Sequence, residues 1–298
     1  MRLPFLSACP VCETHEAREV ITFPQLKYAR CVTCGLIYKS EQVERLGVGY
    51  EADYFKNNRA KYLERWNHRV RKCRRQLLAC LEYAPHAHRM LDVGCSAGYV
   101  LEAGKSLGLE EMGLDYSQFA VALCRERGYR AEVGSLESMP FPDNSFDVVT
   151  LKHTLEHIKN PLAGLREIQR VLKPGGVALI VVPDANYFKI SAWPRLARAF
   201  RPEKRGWQHH TYFYGANLVD ACSRVGMTTL KRNKAVVRKR LAEGIRAPYE
   251  ILRGFYLQAW TKVCEVLRLR RELFHIIRKE VELQEPANPV VIGLAQSG

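Results

Sequence analysis

The 298-residue chain carries 46 Lys and Arg against 31 Asp and Glu, a net charge of +15, with 47% hydrophobic and 10% aromatic residues. That apolar content is ample for a globular core, yet no apolar run reaches the roughly 20 residues of a membrane-spanning helix. The basic surplus calls for an anionic neighbour (nucleic acid, an anionic lipid surface or a phosphorylated substrate) and is densest in "RVRKCRR" at 69–75 and "KRNKAVVRKR" at 231–240.

At the start, Leu6-Ser7-Ala8-Cys9 has the look of a lipoprotein cleavage site, but the apolar stretch before it is short and holds Pro4, so a cytoplasmic chain is expected. Cys9 has a better use. With Cys12, Cys31 and Cys34 it completes C-x2-C-x18-C-x2-C, in which each tight pair offers two thiolates from one knuckle to a tetrahedral Zn2+. Gly35 follows the second pair, where a turn brings amides back toward sulfur. A closed four-thiolate site is structural, so residues 1–45 are expected to be a zinc ribbon. The remaining six cysteines are scattered and read as small apolar residues.

Residues 46–87 follow as a helical linker or lid, with helical spacing through Tyr62, Trp66, Val70, Leu77 and Leu81. From residue 88 onward strand and helix patterns alternate. "RMLDVG", "EMGLDYS", "YRAEVGS", "FDVVTLKH" and "VALIVVP" read as strands; "GYVLEAGKSLG", "QFAVALCRERG" and "PLAGLREIQRVLKPGG" read as helices, the last stopped by Pro174-Gly175-Gly176. Such alternation implies a doubly wound parallel sheet with ligands outside the carboxyl ends of its strands. "ANLVDACSRVG" is a further helix and "MTTLKRN" a strand. A helical pattern over about 240–285, through Leu252, Tyr256, Ala259, Val263, Leu267, Phe274 and Ile277, leads to a final short strand in "NPVVIGLAQ".

The turn after the first of these strands names a ligand class. Its glycines are Gly94 and Gly98, with Ser96 between them, and the carboxylate of Asp92 stands two residues before the turn. A carboxylate beside a pyrophosphate would be repulsive, whereas beside a cation it is attractive. The turn suits a nucleoside cofactor that is positively charged and lacks phosphate. Asp115, 23 residues after Asp92, ends the second strand, where an acidic side chain accepts both ribose hydroxyls.

These stretches ("CPVC…CVTCGLIY", "YEADYF", "LDVGCSAG", "GLDYS", "MPFPDNSFDVVTLKHTLEHIKNP", "LREIQRVLKPGG" and "HTYFYGANL") resemble the class I S-adenosylmethionine-dependent methyltransferases that carry an N-terminal zinc ribbon. The resemblance implies a Rossmann-like α/β fold with a seven-stranded sheet whose last strand is antiparallel, residues 88–298 forming the catalytic domain. It places Asp92 and Gly94 at the methionine part of S-adenosylmethionine, Asp115 at the ribose, and Ser135 and Leu136 at the adenine, with Ser96, Gly98 and Tyr116 also among the cofactor-binding residues. Two departures stand out: Ser96 replaces a glycine, tolerable where its backbone stays in an ordinary region, and Ser135 replaces an aspartate.

"KHTLEH" puts His153, Glu156 and His157 immediately after the fourth strand. These residues are open to three readings: capping of the loop, a general base, or ligation of a divalent metal. His209 and His210 lie in a segment that, by resemblance, closes over the acceptor, and His210 is the candidate base there. The expected activity is methylation, at oxygen, of a small-molecule, glycan or lipid-linked intermediate, with a peripheral contact to an anionic membrane through the basic stripe at 240–283. An RNA acceptor gripped by ribbon and basic helices, or a non-catalytic cofactor-binding module, are the alternatives.

Overall fold

The computed structural model describes residues 8–23, 26–39, 65–185, 209–233 and 272–280. The lid stretch at 46–64, most of the helical pattern at 240–271 and the strand expected in "NPVVIGLAQ" lie outside the described residues.

Three short strands open the chain: β1 (Ala17–Phe23), β2 (Leu26–Cys31) and β3 (Ile37–Lys39), an antiparallel meander. Helix α1 (Trp66–Leu81) buries Cys73, Leu77 and Cys80 along one stripe. The alternating region then runs β4 (Arg89–Val93), α2 (Tyr99–Lys105), β5 (Glu110–Asp115), α3 (Gln118–Glu126), β6 (Ala131–Val133), β7 (Phe146–Lys152), a 3-10 turn (Leu155–His157), α4 (Pro161–Val171) and β8 (Leu172–Pro183). β9 (Thr211–Tyr212), α5 (Gly215–Ser223), β10 (Met227–Asn233) and β11 (Glu272–Lys279) complete it.

Local chemistry explains the helix starts. Asn160 accepts the amide of Ala163 with Pro161 at the first helical position, and Ser117 accepts the amide of Ala120 at the head of α3. On α4, Leu162, Leu165 and Ile168 form the buried stripe. On β8 residues 177–182 are all buried, as a strand covered on both faces requires.

Seven strands pair in the order β10-β11-β8-β7-β4-β5-β6. β11 runs antiparallel to both neighbours and the other contacts are parallel. This is the expected Rossmann-like sheet, with one correction of place. The antiparallel strand is Glu272–Lys279, inside the stretch read as helical, so Phe274 and Ile277 belong to a strand and the helical pattern ends earlier. Its register, His275 opposite Ile180 and Ile277 opposite Ala178, inserts it between β8 and β10, where pairing on both edges overrides a helical periodicity. Likewise α4 ends at Val171, before the Pro-Gly-Gly turn: β8 starts at Leu172, which pairs with Phe146.

The N-terminal meander gains a fourth strand from far along the chain. β9 pairs with β3, Ile37 opposite Tyr212 and Tyr38 opposite Thr211, while the next residue, Phe213, bridges Asp184 at the end of β8. The two sheets therefore share one short segment. Their cores merge as well, with Val11, Leu36 and Tyr38 in the same buried cluster as Phe213, Leu218, Val149 and Ile180.

Candidate functional site

The candidate cofactor residues converge at the carboxyl ends of β4 and β5. The turn after β4 folds over β5, since the amides of Gly94 and Cys95 both donate to the Leu114 carbonyl (2.7 and 3.1 Å). Gly94 has φ +76°, and a Cβ there would come within 2.2 Å of the Thr154 hydroxyl. Gly98, at φ +88°, heads α2, and a Cβ would press on the Tyr129 ring at 3.0 Å. Both positions demand glycine for conformation and for space.

Ser96 departs from the condition set on it. Its φ is +51°, in the left-handed region, where a side chain costs about 1–2 kcal/mol. The geometry has a purpose, for it aims the Ser96 amide at Asp115 Oδ2 (2.9 Å). Asp115 Oδ1 accepts the Ser117 amide at 3.0 Å. Burial raises the Asp115 carboxyl above its ordinary range, and these two amides counter the shift. Each oxygen has a lone pair left, an acceptor set that fits the two hydroxyl donors of a vicinal diol. Tyr116 beside it is exposed.

Asp92 lies beneath the turn, buried, with Oδ1 accepting the Thr150 hydroxyl at 2.6 Å. Burial pushes this carboxyl up to about 7, against the pull of Thr150 and Lys152. A cation brought to the turn would favour its ionised form. The loop carrying Ser135 and Leu136 reaches Asp115 through the Gly134 amide, which donates to the Asp115 carbonyl at 3.0 Å. Ser135 is exposed and its hydroxyl takes the Glu137 amide, whereas Leu136 is buried against Gly164. Arg170 fixes this loop by donating to the Met139 and Phe141 carbonyls while paired with Glu167 and Asp143. Thr150 and Arg170 carry no motif and were invisible to sequence reading.

A second cluster adjoins the first through Thr154, whose hydroxyl donates to the Val93 carbonyl at 3.2 Å. His153 is left-handed (φ +57°), and its Nδ1 stands 3.4 Å from Glu156 Oε1. Glu156 is fully buried; burial alone would raise its carboxyl, but His153, His157 and His209 together hold it below its ordinary range. The rings of His157 and His209 meet edge to face, centroids 4.7 Å apart. His210 joins through its main chain: its amide donates to the Glu156 carbonyl (2.6 Å) and its carbonyl accepts the Lys39 amide (2.9 Å). Its ring is half-buried and burial lowers it to about 4, as for His209. Of the three candidate catalytic histidines, His153 and His157 thus share one cluster with Glu156, and His210 abuts it. Tyr28, whose hydroxyl donates to the His209 carbonyl (2.9 Å), and Lys39 come from the N-terminal meander, a link the sequence did not announce.

The four cysteines of the meander converge. Cys9 and Cys34 Sγ are 3.6 Å apart, Cys12 and Cys31 Sγ 3.3 Å, and all four sulfurs lie within 4.8 Å of one another. Tetrahedral Zn–S bonds of about 2.3 Å place sulfurs about 3.8 Å apart, so the set fits that ion. The Cys34 amide points at Cys31 Sγ (3.3 Å), as the knuckle requires.

Residues 91–180 match a family described as a methyltransferase domain. The chain is 33% identical over 131 residues to an uncharacterised methyltransferase of Schizosaccharomyces pombe, covering 39% of this chain and 46% of that protein. It is also 33% identical over 133 residues to the ubiquinone/menaquinone biosynthesis C-methyltransferase of Geobacter sulfurreducens, covering 40% and 52%. The chain thus spans about half the length of the curated relatives it matches. Among solved structures, one from a Haloferax volcanii complex between the Trm112 methyltransferase activator and a methyltransferase aligns with TM-score 0.51 at 20% identity, covering 70% of this chain and 94% of that one. A SAM-dependent methyltransferase of Archaeoglobus fulgidus aligns with TM-score 0.50 at 17% identity, covering 74% and 99%. At these identities the two structures establish the fold.

Proposed function

We propose that this chain, whose residues 91–180 are a methyltransferase domain, is an S-adenosylmethionine-dependent enzyme acting on a small-molecule, glycan or lipid-linked acceptor, at oxygen. One observation carries the reading: Asp115 ends β5 with one amide on each carboxylate oxygen and the second lone pair of each left for a ribose hydroxyl. S-adenosylmethionine supplies an electrophilic methyl group on a sulfonium. Gly94 and Gly98 keep the turn free of side chains, Asp92 supplies negative charge beneath it, and Leu136 offers an apolar wall. Tyr116 is exposed beside Asp115 and would cover the cofactor. A catalytic base is not demanded by the chemistry, because alignment of a nucleophile in line with the methyl supplies much of the acceleration. His210, which burial keeps neutral, is the group assigned to take a hydroxyl proton. The name of the Geobacter relative, a C-methyltransferase of ubiquinone/menaquinone biosynthesis, supports a small acceptor and makes carbon the competing site.

The zinc ribbon completes the reading. Cys9, Cys12, Cys31 and Cys34 would hold Zn2+ as a structural ion, and the shared strand β9 would transmit the order of that fold to His209 and His210.

A second reading, an RNA acceptor, draws on α1: Arg69, Arg71, Arg74 and Arg75 are exposed and the helix has no acidic residue. Retention on RNA that falls steeply with salt would favour it.

The test of the main reading is calorimetric titration of the purified chain with S-adenosylmethionine and with NAD. Binding of the first alone is expected, weakened by about 1.5–3 kcal/mol in Asp115→Ala through loss of charge-assisted hydrogen bonds. Unchanged affinity in that variant would remove Asp115 from the ribose site.

A further inference from the structure

We propose that Glu156, His157 and His209 form a binding site for one divalent transition-metal ion, separate from the four-cysteine site. One ligand atom from each lies within 4.8 Å of the others. Glu156 is fully buried, and neither of its carboxylate oxygens accepts a hydrogen bond among the described residues. His153 Nδ1, at 3.4 Å, is the neighbour that reaches it from the exposed side. The buried Nδ1 of His209 likewise has no hydrogen-bond partner among the described residues. A buried carboxylate that accepts no hydrogen bond is costly, and a cation held between it and the neighbouring imidazole nitrogens would offset that cost.

The donor set selects the ion. Two imidazoles and one carboxylate suit Zn2+, Fe2+, Mn2+ or Co2+, whereas Mg2+ and Ca2+ take oxygen ligands. Three protein ligands leave at least one position open, unlike the closed four-thiolate set. The placement of His209 differs from what the local motif suggests. His153, Glu156 and His157 are close in sequence, but the third ligand arrives from 52 residues beyond His157, two residues before the strand that pairs with the N-terminal meander. Main-chain bonds hold that approach: the Tyr28 hydroxyl on the His209 carbonyl, and the His210 amide on the Glu156 carbonyl. The ion would therefore join a residue positioned by the meander to two positioned by β7, and His153 would orient Glu156 without ligating. The inference does not depend on the methyl transfer proposed above.

The experiment is a Co2+ titration of the full chain after metal removal, followed by absorbance and by equilibrium dialysis. Two ions are expected per chain. One shows intense sulfur-to-metal charge transfer and belongs to the cysteines; the other lacks it. Glu156→Gln and His209→Gln should each keep the first and weaken the second at least about tenfold. Circular dichroism identifies a variant that fails to fold, in which case the other one decides. A wild-type chain that takes up no ion beyond the charge-transfer one overturns the proposal. So does a second ion held with unchanged affinity by the folded variants.

Discussion

Replacing Asp92 by Asn should stabilise the empty protein at neutral pH while weakening its hold on a cationic ligand. The carboxyl is buried under the glycine turn, and burial pushes it from 3.8 up to about 7. Folded protein therefore binds a proton at this position more tightly than unfolded protein does. Between about pH 4 and pH 7 the group makes stability fall as pH rises, by up to 1.4 kcal/mol per unit, and above pH 7 the loss is complete at about 4 kcal/mol. Asn cannot ionise, and its Oδ1 can still accept the Thr150 hydroxyl. The stability difference between variant and wild type should thus be near zero below about pH 3, reach about 1 kcal/mol at pH 4.5 and grow to about 2–4 kcal/mol in favour of Asn by pH 8. Urea unfolding followed by tryptophan fluorescence at four pH values measures it. With S-adenosylmethionine the order reverses: the wild type gains affinity as pH rises toward 7 and Asn loses about tenfold or more at pH 8. A pH-independent stability difference, or a wild type more stable at pH 8, would refute the burial argument.

Two further outcomes follow from the cysteine cluster and the glycine turn. Elemental analysis should find zinc on the four cysteines, and Cys31→Ser should weaken its hold and lower the melting temperature of the meander, because only Cys9, Cys12 and Cys34 of the tetrahedral set then remain; a variant that keeps its metal and its melting temperature would refute the four-thiolate site. Ser96→Gly should raise stability by about 0.5–1 kcal/mol, since Ser96 holds φ +51° and glycine reaches that region freely; a loss of stability in chemical denaturation would show that the side chain contributes more than its backbone conformation costs.

Much of the architecture was legible because it is written in short-range chemistry. Strand and helix alternate over 89–183 with their own caps: Ser117 on α3, Asn160 and Pro161 on α4. The turn glycines identified themselves by position, and the structure returns both with positive φ. The pairs Cys9–Cys12 and Cys31–Cys34 pointed to a four-thiolate cluster through spacing, since two residues between thiols is what a knuckle needs, and the four sulfurs do converge. Where the reading failed, long-range pairing decided. Phe274 and Ile277 fit a helical stripe, yet both edges of the slot between β8 and β10 lack hydrogen-bond partners until a strand fills it.

The sequence by itself thus determined the doubly wound sheet, the glycine turn that brings Asp92 and Asp115 together at the strand ends, and the four-cysteine set, because each is encoded in residues close together or in a fixed order. Only the tertiary structure decided that Thr150 supports Asp92, that Ser96 is left-handed with its amide on Asp115, and that His209 joins His153 beside Glu156 and His157. It alone joined the meander to the sheet through Thr211 and Tyr212, setting Tyr28 and Lys39 against the histidine cluster. These contacts span tens to nearly two hundred residues. They arise from burial and backbone pairing between surfaces that exist only after the elements have folded, and no local pattern encodes which surfaces will meet.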